Sequence, residues 1–237
     1  ENWFFRLSAF EDRLLAHYAS CPDAVEPRSA YNEVTSFIRQ GLQDISMSRS
    51  SVVGSLAFVV SGADGLSVLD VANPAAPTVR GRLATAGFAE GVSAANGIVY
   101  VASFGRGLTI IDATNPAAPT LLTELRTPGT PHAVQAVGSL VYLADDFNGL
   151  VIVDVSNPAA PTVRSTLRSA GVAVGVTVVN DRAYLAYQGQ GLRIVDVSNP
   201  GAPRRLGQLD TPGLASAVSV TGNLALVADS EALQIVD

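Results

Sequence analysis

Glu90 and His132 lie 42 residues apart, and His132 is one of two histidines in a chain of 237 residues. A carboxylate against an imidazole could pass a proton at neutral pH, which makes this pair the first place to look for acid–base chemistry. Each stands at the entry of a valine-rich stretch, and Val174 and Ser216 take the corresponding places further on. No nucleophile or third partner accompanies the pair, so a solvated loop residue is the plainer expectation for His132. Asp145 and Asp146, in the run "ADDFNG" with Asn148, could offer carboxylates to Ca²⁺. That run occurs once, and a solvated loop is the plainer expectation there too. Glu90, His132, Asp145 and Asp146 are therefore weak ligand-binding candidates, with no catalytic residue and no metal site assigned. Ser93, Gln135, Thr177 and Ser219 recur at one position among the valines. Small polar residues there suit the wall of a channel, but without charges they make a poor site.

What must position these residues is a repeat. "GLSVLDVANPAAPT", "GLTIIDATNPAAPT", "GLVIVDVSNPAAPT" and "GLRIVDVSNPGAPR" are one phrase four times, with Asp70, Asp112, Asp154 and Asp196 spaced by 42. A fifth copy, "ALQIVD", ends at Asp237. The aspartate and the asparagine after it can accept turn N–H groups, while Pro158 and Pro161 fix φ and stop strand pairing. As a ring of carboxylates these aspartates would stand a whole repeat unit apart, too far to share one ion, so a structural role is expected. Gly65, Gly107, Gly149 and Gly191 likewise read as backbone requirements. None opens a helix, which argues against a phosphate cradle.

Each unit carries four β-like stretches, in the third copy "HAVQAV", "LVYLAD", "LVIVDV" and "TVRSTLR". Gly54-Ser55, Asn96-Gly97, Gly138-Ser139, Asn180-Asp181 and Gly222-Asn223 join the first two as tight hairpin turns. "LVIVDV" is apolar at consecutive positions, so it must be covered on both faces. A sheet between two neighbouring sheets meets that demand, and four short antiparallel strands per unit is the blade of a β-propeller. The expected fold is mainly β: an incomplete β-propeller of four-stranded blades over residues 51–237, three units complete and two partial, preceded by a short two-helix segment over residues 1–50. Aligned on the third unit, the innermost strand of the first falls on "SRSSVV", which has lost most of its apolar residues.

Composition narrows the chemistry. The chain is 48% apolar and 15% charged, so it is not a disordered protein. No apolar run reaches the roughly 18–20 residues that cross a bilayer. Net charge is −6, and the 15 basic residues, all arginines, are scattered, a poor footprint for nucleic acid. The absence of lysine removes Schiff-base and phosphate-loop chemistry. Cys21, the one cysteine, cannot form an internal disulfide, and its expected role is structural. The first residue is Glu and no secretory leader follows it, so a fragment or processed product is expected.

"GLVIVDVSNPAAPT" and its copies resemble the LVIVD repeat, a family of bacterial and archaeal propeller-type repeats. The resemblance covers about residues 52–237, and it implies the fold and no common chemistry. In that family the repeats commonly sit in surface or exported proteins. Residues 1–49 have a different grammar. Ser8 and Glu11 form a capping-box pair before Phe10, Leu14 and Tyr18, and Pro27 opens a second helix with Val34, Phe37 and Ile38 on one side. The words "WFFRLS", "DRLL", "NEV", "FI", "GL" and "SR" resemble an internal segment of methionyl-tRNA synthetase. That family's nucleotide-binding His motif and lysine-bearing loop have no counterpart here, so no functional residue carries over.

The expected function is a non-catalytic repeat module for protein interaction or scaffolding, in a truncated or chimeric chain joined near Arg49. The alternative is a methionyl-tRNA synthetase fragment lacking its active site, an ATP-dependent methionine-tRNA ligase if an enzyme at all. A propeller enzyme with a central-channel site ranks below both. No cofactor is expected, ATP entering only with the synthetase reading of a longer parent. The expected partner is a protein, with neither nucleic acid nor membrane. The synthetase segment implies the cytoplasm, and the repeats imply export or the cell surface.

Overall fold

The computed structural model describes residues 50–237 together with Phe4–Phe5 and Ile45–Ser46. The chain divides into two compact units, one of Glu1–Met47 with Asp237 and one of Ser48–Val236. In the first, β1 (Phe4–Phe5) pairs antiparallel with β2 (Ile45–Ser46). The two helices expected in this stretch lie outside the described residues, and no helix occurs among the described ones.

The second unit is a series of antiparallel meanders. The first sheet is β3 (Ser50–Val53), β4 (Leu56–Ser61), β5 (Gly65–Asp70) and β6 (Thr78–Leu83), hydrogen-bonded in that order. The second is β7 (Phe88–Ala95), β8 (Ile98–Phe104), β9 (Gly107–Asp112) and β10 (Thr120–Leu125), and the third is β11 (Ala133–Val137), β12 (Leu140–Ala144), β13 (Leu150–Asp154) and β14 (Thr162–Leu167). The fourth is β15 (Val172–Val179), β16 (Arg182–Gln188), β17 (Gly191–Asp196) and β18 (Arg204–Leu209). The fifth has three strands, β19 (Ala215–Thr221), β20 (Leu224–Asp229) and β21 (Leu233–Val236). One expectation is corrected: the first unit is not partial, because Ser50–Val53 pairs with β4 and completes four strands. Its serines do not prevent pairing, and Ser51 Oγ accepts the Ala94 N–H of the next sheet at 3.0 Å.

The turns follow from their residues. Asn96-Gly97 and Asn180-Asp181 hold positive φ at both positions, and Gly54, Gly138 and Gly222 at the first only. These are the two hairpin-turn families whose twist matches that of the strands they join. Gly107, at φ +90°, has no room for a side chain: a Cβ there would stand 2.3 Å from the Leu125 carbonyl oxygen. Each neighbouring pair of sheets encloses its own core. Phe58, Val60 and Leu66 meet Val99 and Val101; Tyr100 and Leu108 meet Val141 and Leu143; Leu150 and Ile152 meet Leu185 and Val195; Ala186 and Leu192 meet Ala215 and Val227. Leu150, Val151, Ile152 and Val153 are all buried, so β13 is covered on both faces. This face-to-face stacking of four-stranded meanders is propeller-like. The first and fifth sheets share no strand pairing among the described residues.

Candidate functional site

The site begins at a bulge. Pairing of β7 with β8 slips between Ala89 and Gly91, so Glu90 is the extra residue, and bulges re-aim the side chain they carry. Gly91 then lets the next sheet come close: a Cβ on it would stand 2.9 Å from the His132 carbonyl oxygen. His132, just before β11, is anchored by its own N–H, which donates to the Ala144 carbonyl at 2.9 Å. With both backbones fixed, His132 Nδ1 lies 2.6 Å from Glu90 Oε2, and the two side chains are 25% and 22% exposed. The Glu90 hydrogen bond raises the imidazole above its ordinary value, burial pulls it down, and the charges of Glu90, Asp146 and Asp145 push it up. His132 is thus no solvated loop residue.

Asp145 corrects its expectation more sharply, since it is fully buried. Its Oδ1 accepts the Thr127 hydroxyl and its Oδ2 the Gly129 N–H, both at 2.8 Å. Burial pushes this carboxyl up, and the Thr127 and Gly129 hydrogen bonds pull it down. The carboxylate therefore clamps the connection entering its own sheet. Asp146, at φ 52°, works through its backbone: its carbonyl accepts the Gly149 N–H at 3.1 Å and the Ala173 N–H of the fourth sheet at 3.0 Å. The structure brings Glu90 and His132 into contact and sets Asp145 and Asp146 close enough to bias the imidazole. Among the described residues no group of three or more potential ligands could hold a metal ion. Among the described residues no serine, threonine or cysteine hydrogen-bonds to the imidazole; there the pair can exchange a proton and hold two sheets together, with no nucleophile beside it to activate.

The other recurring residues are structural. Asp112 Oδ1 accepts the Thr114 N–H at 2.9 Å and its hydroxyl at 2.6 Å, Asp154 Oδ1 the Ser156 N–H at 3.0 Å, and Asp196 Oδ1 the Ser198 N–H at 3.0 Å. Hydrogen bonds from Thr114, Ser156 and Ser198 hold these carboxyls below the usual aspartate range. The residues expected on a channel wall stitch sheets together: Ser93 Oγ accepts the Ala136 N–H at 3.0 Å, Gln135 Oε1 the Val178 N–H at 2.7 Å, and the Thr177 hydroxyl donates to the Val218 carbonyl at 2.7 Å. Sequence reasoning missed the Asp145 clamp, although a signal existed. Thr-Pro-Gly occurs at 127–129 and 211–213, and Asp229 stands as far from the second as Asp145 from the first. Asp229 Oδ2 does accept the Gly213 N–H, at 3.0 Å.

The family model described as LVIVD repeat matches residues 47–85, 86–127, 128–167, 170–211 and 212–237. Over 51 residues the chain is 59% identical to the methionine–tRNA ligase of Streptomyces coelicolor, which is 22% of this chain and 10% of that protein. Over 48 residues it is 60% identical to the methionine–tRNA ligase of Thermosynechococcus vestitus, 20% of this chain and 9% of that one. The chain thus spans about a tenth of the length of the curated relatives it matches. Its structure is similar to the crystal structure of the computationally designed Ika8 protein, with TM-score 0.62 and 8% identity, covering 78% of this chain and 56% of that one. The designed Ika4 protein is matched with TM-score 0.54 and 9% identity, covering 64% and 91%. At such identities the likeness concerns the fold alone.

Proposed function

We infer the role from the family outward: this chain belongs to the LVIVD repeat family, and its repeat module serves protein contact or scaffolding without catalysing a reaction of its own. The observation that carries this reading is the row of apolar residues on successive outer strands. β6, β10 and β14 are sheet edges, and Val79, Leu121 and Val163 occupy one repeat position on them with exposures of 49%, 53% and 41%. Exposed apolar residues on unpaired edges favour a partner chain. Each outer strand also carries a bulge, as between Leu121 and Thr123, which discourages flat self-pairing and favours a shaped protein surface. The polar groups that might have done chemistry support the same reading, because they hold turns, linkers and neighbouring sheets. A photo-crosslinking residue placed at Leu121 of the full chain tests it. Protein adducts competed by unlabelled chain, but not by a chain carrying Leu121→Glu and Val163→Glu, are expected. Absence of such adducts, or turnover of a small molecule that His132→Gln abolishes, would overturn it.

A second reading rests on the stretch about 60% identical to methionine–tRNA ligases: the chain would include a scaffold piece of such an enzyme. Without lysine it has no lysine-bearing nucleotide loop. Purified chain should show no methionine-dependent ATP–pyrophosphate exchange, and measurable exchange would restore a catalytic role.

A further inference from the structure

Between the third and fourth sheets lies a cavity of about 410 Å³, within the ~300–1,000 Å³ range of small-molecule sites. Leu150, Leu167 and Val195 supply apolar wall, and Arg168, Arg193 and Arg205 converge on it. No carboxylate lines it. That is three arginines in one cleft of a chain whose net charge is −6.

Arg193 is the informative one. It is 6% exposed, its guanidinium stacks on Tyr187 at 4.0 Å from the ring centroid, and Nη2 donates to Gln190 Oε1. Its buried Nε and Nη1 make no hydrogen bond, leaving three N–H donors without an acceptor, and none of its atoms joins an ion pair among the described residues. A buried cation with empty donors is costly unless an anion completes it. The repeat shows that the fold does not require this arrangement. The positions of Tyr187 and Arg193 are held in the second sheet by Ser103 and Thr109, whose hydroxyls bond each other at 3.0 Å, and in the third by Asp145 and Val151. Arg205 likewise stands where earlier repeats place Val79, Leu121 and Val163. Two residues thus depart from the repeat toward arginine at the same cleft.

We propose that this cleft binds a small molecule through an oxyanion, a phosphate or a carboxylate, received by the Arg193 guanidinium and flanked by Arg168 and Arg205. Guanidinium donors are suited to both groups, and the apolar wall would take the rest of the ligand. The test titrates full chain with inorganic phosphate and with succinate, each against chloride at fixed ionic strength, by isothermal calorimetry. Saturable one-to-one binding of at least one probe is expected; phosphate alone marks a phosphate ligand, succinate alone a carboxylate. Arg205→Val, which places an earlier repeat's residue on an exposed strand, should weaken binding about threefold. Arg193→Gln should weaken it about tenfold or more, with circular dichroism reporting the fold. Should Arg193→Gln not fold, Arg205→Val and Arg168→Ala decide. No saturable binding of either probe, or binding unchanged in the folded variants, would overturn the proposal.

Discussion

The hydrogen bond between Glu90 and His132 makes a pH-dependent contribution to stability whose size can be worked from its geometry. At 2.6 Å and about a quarter exposed, the pair lies between a solvated ion pair, worth about 0.2–1 kcal/mol, and a fully formed bond to a charged group, worth about 1.5–3 kcal/mol. A coupling of about 1 kcal/mol is expected at about pH 5.5, where the imidazole is protonated. Folding raises the proton affinity of His132, chiefly through Glu90. The stabilisation is therefore complete below the ordinary histidine value of about 6.5 and is lost as pH rises through the higher folded value. The assay is a double-mutant cycle with Glu90→Gln and His132→Gln, followed by urea denaturation and far-ultraviolet circular dichroism at about pH 5.5 and about pH 9. In thermal scans the same coupling is a shift of about 3 °C. A coupling below about 0.2 kcal/mol at the lower pH, or one that does not shrink at the higher, would refute the argument that this pair clasps the second sheet to the third.

Ile152, buried on β13 against Leu185 and Val195, should cost about 2–5 kcal/mol when cut to alanine, read as a lower urea midpoint. Gly107→Ala should destabilise by at least about 1–3 kcal/mol, because the new Cβ meets the Leu125 carbonyl at a φ that only glycine holds without strain; an unchanged midpoint would remove the requirement. Thr114 and Ser198 hydrogen bonds hold the Asp112 and Asp196 carboxyls low. Their stabilisation is present above the ordinary aspartate value of about 3.9 and is lost as pH falls through the lower folded values. A chain with Asp112→Asn and Asp196→Asn should accordingly lose less stability between about pH 5 and pH 2.5, and an equally steep acid limb would count against the turns.

The sheets were legible because their causes are local and repeated. A turn such as Asn96-Gly97 states its own φ, and "LVIVD" states that both faces are covered, so the order of strands follows from spacing alone. The site was only half legible. The 42-residue step places Glu90 and His132 on neighbouring sheets, but their contact depends on the bulge at Glu90 and on how closely Gly91 lets the next backbone approach, and both are settled by packing between sheets. "ADDFNG" looks like solvent-facing loop because its composition does not reveal that Thr127 and Gly129 lie over Asp145. The polar residues among the valines misled in the opposite direction. Ser51, Ser93, Gln135 and Thr177 looked like gaps in an apolar strand, or a channel lining, when each bonds the backbone of the following sheet. Once those roles are removed, a repeat reads differently: a position polar in every copy is explained by the scaffold, and a position charged in one copy alone is not. Arg193, where the three earlier units have Ser67, Thr109 and Val151, is the buried case of the second kind, and its open donors place the question of ligand chemistry at the boundary of the third and fourth sheets.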